Sequence, residues 1–136
     1  MASTQSDALE KLFNSTIMDY LKFIKQKQPK NVTLEFRKNQ FVLLKKSMPS
    51  MPILSTGPFL IYHKDKLSTV SNLRLFFTQG LELEKFDVKV DSSVVDIIDQ
   101  ARAVFFELSD DEKLHLFNML QVLLDTYLKY QALLLN

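Results

Sequence analysis

The chain has 136 residues, 46% of them hydrophobic and 24% charged, with no cysteine. That length suits one compact domain over residues 1–136, able to bury about two thirds of its unfolded surface; the missing thiols exclude disulfides, thiolate metal sites and a cysteine nucleophile. A net charge of +1 hides an uneven division: residues 1–66 carry eleven Lys/Arg against five Asp/Glu, and residues 67–136 carry six against eleven.

No uninterrupted apolar run approaches the roughly 20 residues of a membrane span, so no transmembrane segment is expected. The first residues lack the cationic tip and apolar core of a secretory signal. The sequons Asn14-Ser15-Thr16 and Asn31-Val32-Thr33 therefore read as chance, and the expected location is intracellular, cytoplasmic or nuclear.

After a flexible start at 1–5, Leu9, Leu12, Phe13, Ile17, Tyr20, Leu21 and Ile24 recur at helical spacing up to Pro29, which predicts an amphipathic helix capped by Ser6. Val32, Leu34 and Phe36 then alternate with polar residues, and a second apolar stretch runs over 40–46. This predicts a β-hairpin turning at Lys38-Asn39. Pro49, Pro52 and Gly57-Pro58 make 47–58 a loop, whose Met48, Met51, Ile53 and Leu54 are expected to lie over an open end of the core.

Phe59 to His63 reads as a short buried strand. Leu73, Leu75 and Phe77 suggest a further strand, leading through Gly80 into a second hairpin, while Leu67, Val70, Leu73 and Phe77 support a competing helix over 67–78. The alternation changes phase after Glu84, which calls for a bulge at Glu84-Lys85. Ser93 with Asp96, and Ser109 with Glu112, have capping-box spacing, so helices are predicted over 93–107 and 110–135. The acidic triplet Asp110-Asp111-Glu112 is then helix-start charge, and no metal site is expected. The elements together predict an α+β fold: an antiparallel sheet built from hairpins, packed against an N-terminal helix and two C-terminal helices.

Motifs for catalysis are missing. The chain has two histidines and two glycines, no nucleophile elbow and no phosphate loop, so neither an enzyme, a cofactor nor a small-molecule substrate is indicated. His63 and His115 read as surface residues, and Glu82 with Glu84 as solvated carboxylates.

Two features point to binding. The last helix is apolar over an arc wider than the roughly 100° that one core face needs. It is either wrapped by its own fold or buries a second face against a partner through Leu116, Leu120, Leu123, Leu124, Tyr127, Leu128, Tyr130 and Leu134. The reading preferred on sequence is a non-enzymatic adaptor or assembly subunit, with a protein partner or a second copy of itself in a dimer. The second feature is the basic segment with Lys22, Lys25, Lys27, Lys30, Arg37, Lys38, Lys45 and Lys46 against the single acid Glu35. It suits a nucleic-acid-binding accessory protein or an anionic membrane surface, set against a merely solvated cationic face.

Overall fold

Two long apolar periodicities sit at opposite ends of the chain, and in the computed structural model, which describes residues 2–78 and 93–135, each becomes a 26-residue helix. These are α1 (Ala2–Lys27) and α6 (Asp110–Leu135); between them lie α2 (Val32–Ser47), α3 (Met51–Tyr62), α4 (Leu73–Thr78) and α5 (Ser93–Asp99). Short 3-10 turns at Lys64–Leu67, Gln100–Ala103 and Phe105–Glu107 complete the regular structure of the described residues.

Helices α1 and α6 pack antiparallel. Phe13, Ile17, Tyr20, Leu21 and Ile24 from the first and Leu116, Leu120 and Leu123 from the second are wholly buried. Polar contacts fix the register along the pair. The Tyr130 hydroxyl donates to Glu10 at 2.6 Å, Phe23 meets the His115 ring edge-on at 5.2 Å, and Lys27 pairs with Glu112. The capping box at the start of α6 is formed reciprocally: Glu112 N donates to Ser109 Oγ at 3.2 Å, and Ser109 N to Glu112 Oε1 at 2.9 Å. Lys27, and after it the Ser109 backbone, hold the Glu112 carboxyl below the usual carboxylate range.

The expected α+β architecture is overturned, because the described residues contain no strand. In place of the first hairpin stands α2. Asn31 caps it, its side chain accepting from Leu34 N at 3.1 Å, and Lys45 and Lys46 occupy the last turn where they complement the helix dipole. Leu34 and Phe41, seven residues apart and therefore on one side of a helix, are its buried residues. The period-2 alternation at 32–36 was too short to compete with that spacing.

The expected 47–58 loop and 59–63 strand are likewise replaced, by α3. Pro52 sits in the first turn, where its missing N–H costs nothing, and Pro58 lies inside the helix with its ring exposed. An interior proline costs about 3 kcal/mol and a glycine about 1. Burial of Ile53, Phe59 and Leu60, at about 1.5–3 kcal/mol each, offsets both. Over 67–78 neither reading is met in full: residues 73–78 are helical, as α4 with Leu73, Phe76 and Phe77 buried, while 68–72 are turns and bends. The expected helix at 93–107 is α5 followed by two 3-10 turns. The expected hairpin at Gly80, the bulge at Glu84-Lys85 and the Glu82/Glu84 pair lie outside the described residues.

The middle helices hang on the α1–α6 pair. Tyr20, fully buried, donates to Ile98 O at 2.7 Å and so anchors α5; burial first, and Asp99 second, push its phenol well above the usual range. Helix α3 crosses α6 where Gly57 meets Tyr127. A Cβ at Gly57 would overlap the Tyr127 ring, so only glycine allows this approach.

Gly57→Ala should therefore cost about 1–3 kcal/mol in urea unfolding, as overpacking does, although alanine is the better helix former. Tyr130 supplies a second test. Burial, followed by the Glu10 carboxylate, raises its hydroxyl from 10.0 to about 12. A raised folded-state value stabilises fully below the unfolded value and is lost as pH climbs through the folded one. Stability should fall between about pH 10 and about pH 12, and Tyr130→Phe should flatten part of that fall.

Candidate functional site

The apolar arc of α6 divides once the fold is assembled. Leu116, Leu120, Leu123, Leu124 and Tyr130 are core residues, and Tyr127 is half-buried over Gly57. Of the eight expected interface residues Leu128 and Leu134, at 40% and 60% exposure, present much surface, and Leu114, Val122 and Leu135 of the same helix are exposed beside them. Leu128 and Leu134 project about a third of a turn apart, whereas Leu114, Leu128 and Leu135, at spacings of fourteen and seven, lie towards one side of the helix. The helix is this apolar because α1, α3 and the 64–67 turn wrap it on several sides; from that turn Leu67 O accepts from Gln121 Nε2.

The eight basic residues are also dispersed. Lys25 pairs with Glu35, Lys27 with Glu112, and Arg37 Nε with Asp96 at 2.8 Å. Lys25 foremost, with Lys38 adding to it, lowers the Glu35 carboxyl. Lys22, Lys30 and Lys46 are exposed, and Lys38 and Lys45 half-buried. Two of the three ion pairs join the basic half of the chain to the acidic half, so part of the charge division is internal complementarity.

The expectation that both histidines are surface residues holds for His115 and fails for His63, which is 3% exposed. Its ring sits among Phe59, Tyr62 and Phe76 at centroid distances of 4.7, 4.9 and 5.3 Å. The misplaced strand ending at 63 hid this; as the C-terminal cap of α3 the residue turns inward. Among the described residues no three His, Asp or Glu side chains come together to hold a metal ion, and no helix is long and apolar enough to cross a membrane.

The surface that sequence reasoning missed is on α2. Val32, Phe36 and Leu43 are 81%, 61% and 68% exposed, and spacings of four and seven residues align them on the side opposite Leu34 and Phe41. The helix is thus apolar on two faces. Reading 32–46 as strands dissolved this stripe into a hairpin; a helical wheel over 32–47 exposes it. The stripe is also held in place: the Arg37 guanidinium lies 5.8 Å from the Phe36 ring centroid while its Nε is tied to Asp96.

No protein family, curated protein or solved structure matches the chain.

The division of α6 predicts opposite outcomes for two substitutions. Leu120→Asp buries a charge without a partner and should abolish cooperative unfolding, a loss of several kcal/mol. Leu128→Asp should change stability by less than about 1 kcal/mol, as measured by thermal melting followed by circular dichroism.

Proposed function

We propose that the protein is a non-catalytic assembly subunit that associates through the outer face of α2, and that its first partner is a second copy of itself. The observation behind this reading is the line Val32, Phe36, Leu43, three large apolar side chains more than half exposed on one ordered helix. A contiguous apolar line of this kind on a folded surface marks an interaction site.

Antiparallel packing of two α2 helices brings the stripe onto itself. With the two-fold between Asn39 and Gln40, Phe36 of each copy faces Leu43 of the other. The same pairing sets Glu35 on the flank that carries Lys46 of the second copy, so the charges at the rim are complementary. A single 16-residue helix face is a small contact beside the roughly 800 Å² per partner of a standard interface. The dimer is accordingly reversible and depends on concentration.

Nucleic-acid binding by the 22–46 surface is the second reading. Three of its eight cations are occupied in ion pairs within the chain, which leaves five, spread over two helices and a turn, for a phosphate backbone.

Sedimentation equilibrium over a concentration series tests the proposal. The wild-type protein should shift from monomer towards dimer as concentration rises, and Phe36→Asp with Leu43→Asp should stay monomeric with unchanged helicity, since both positions are exposed. A wild-type protein that is monomeric throughout, or a double variant that still dimerises, would overturn it.

A further inference from the structure

The apolar line on the outside of α2 is interrupted by one amide. Val32, Phe36, Asn39 and Leu43 follow one another at spacings of four, three and four residues, the rhythm by which one side of a helix meets a second helix, and Asn39 is exposed midway between Phe36 and Leu43. Asparagine is a poor helix former, yet this one is the eighth residue of a 16-residue helix, far from either cap, where no free backbone group needs its side chain. Among the described residues the Asn39 side chain makes no hydrogen bond. The adjacent amide differs: Gln40 Oε1 accepts from Arg37 Nη1 at 2.8 Å and is engaged within its own chain.

A two-fold axis that crosses a pair of antiparallel helices returns each residue to the same flank of the pair. On the helical wheel Asn39 leans to the flank that also carries Glu35 and Lys46, and Gln40 to the other. With the axis between Asn39 and Gln40, the two copies of Asn39 therefore stand side by side, offset along the helices by one residue, about 1.5 Å. At the usual separation of about 8–10 Å between packed helix axes, their Cβ atoms come within about 4–5 Å of each other. That is close enough for a reciprocal amide pair, in which each Nδ2 donates to the Oδ1 of the other copy.

We infer that Asn39 pairs with Asn39 of the second copy across the two-fold, and that this amide pair sets the register and direction of association. The pairing rests on the α2 dimer proposed for the protein. Val32, Phe36 and Leu43 alone leave the register loose, because apolar side chains bury almost as well when one helix slides along the other. Sliding by a turn in either direction sets Asn39 against Phe36 or Leu43 and leaves both amides without a partner and without water. Turning the helices parallel moves the two amides to opposite flanks. A single polar residue in an apolar seam thus gives up some affinity and selects one arrangement.

Because the chain has no cysteine, a single introduced thiol reports the geometry. Under mild oxidation Asn39→Cys should form a disulfide-linked dimer at least about tenfold faster than Val32→Cys, since position 39 falls near disulfide range across the two-fold while the copies of position 32 lie about 22 Å apart in the antiparallel pair. Asn39→Leu removes the selecting amide. Its association in sedimentation equilibrium should be no weaker than that of the wild type, and Val32→Cys combined with Asn39→Leu should cross-link faster than Val32→Cys alone as other arrangements become populated. Both positions are exposed, so circular dichroism should match the wild type in every variant. A wild-type protein that is monomeric at every concentration overturns the dimer and the pairing with it. A wild-type dimer in which Asn39→Cys links no faster than Val32→Cys, or in which Asn39→Leu leaves the Val32→Cys rate unchanged, overturns the pairing alone.

Discussion

Everything in this fold is positioned by the antiparallel packing of the first and last helices. Glu10–Tyr130 lies at one end of the pair, Phe23–His115 and Lys27–Glu112 at the other, and all three contacts keep one register. Packing and polar contacts have different parts in this. Each fully buried side chain between the helices contributes about 1.5–3 kcal/mol, whereas a hydrogen bond contributes about 1 net. Apolar burial therefore supplies the stability. The polar contacts select the register, because sliding α6 by one turn would strand the buried Glu10 carboxylate without the Tyr130 hydroxyl. Tyr20 then extends the frame to α5 through Ile98 O, and Gly57 lets α3 settle against Tyr127.

The elements that could be read from the sequence are those in which one signal ran uninterrupted. Helix α6 carries helical spacing along its length and α1 from Leu9 to Ile24, and the Ser109–Glu112 box announces where α6 begins, whereas α1 starts at Ala2 and takes in Ser6, the expected cap. Helix α2 escaped because it is apolar on opposite sides. Val32, Leu34 and Phe36 alternate not as a strand does but because a two-faced helix also places apolar residues two apart at its start. Helix α3 escaped for the opposite reason: Pro52, Gly57 and Pro58 are local signals against a helix, overridden by burial of Ile53, Phe59 and Leu60 that no local window can see. The same error carried His63 to the surface in the sequence reading, when its place is among three aromatic rings.

A surplus of apolar residues was legible, but its location was not. Attributed to α6, it belongs mostly to the core there, because three elements enclose that helix. An exposed surplus that the sequence reading missed lies on α2, in the half of the chain that also carries the excess of positive charge, beside the exposed leucines that α6 keeps. The basic segment changes meaning with it. As strands, 32–46 would have spread cations along a sheet edge; as a helix it sends Arg37 towards Asp96 and leaves Val32, Phe36 and Leu43 facing outward.

The ion pairs that flank α2 are better understood as orienting devices than as sources of stability. Lys25–Glu35 and Arg37–Asp96 are partly solvated, and pairs of that kind contribute about 0–1 kcal/mol and weaken with salt. Yet they tie α2 to α1 on one side and to α5 on the other, and Arg37 also lies over the Phe36 ring. A helix held at both flanks, capped by Asn31 and packed inward through Leu34 and Phe41 has little freedom left to lose on binding. Ordering costs of about 0.5–1.5 kcal/mol per immobilised side chain are thereby reduced before any partner arrives. Preorganisation of this kind lets a short apolar line serve as an interface, since a stripe of the same residues on a mobile segment would forfeit much of its burial energy to ordering.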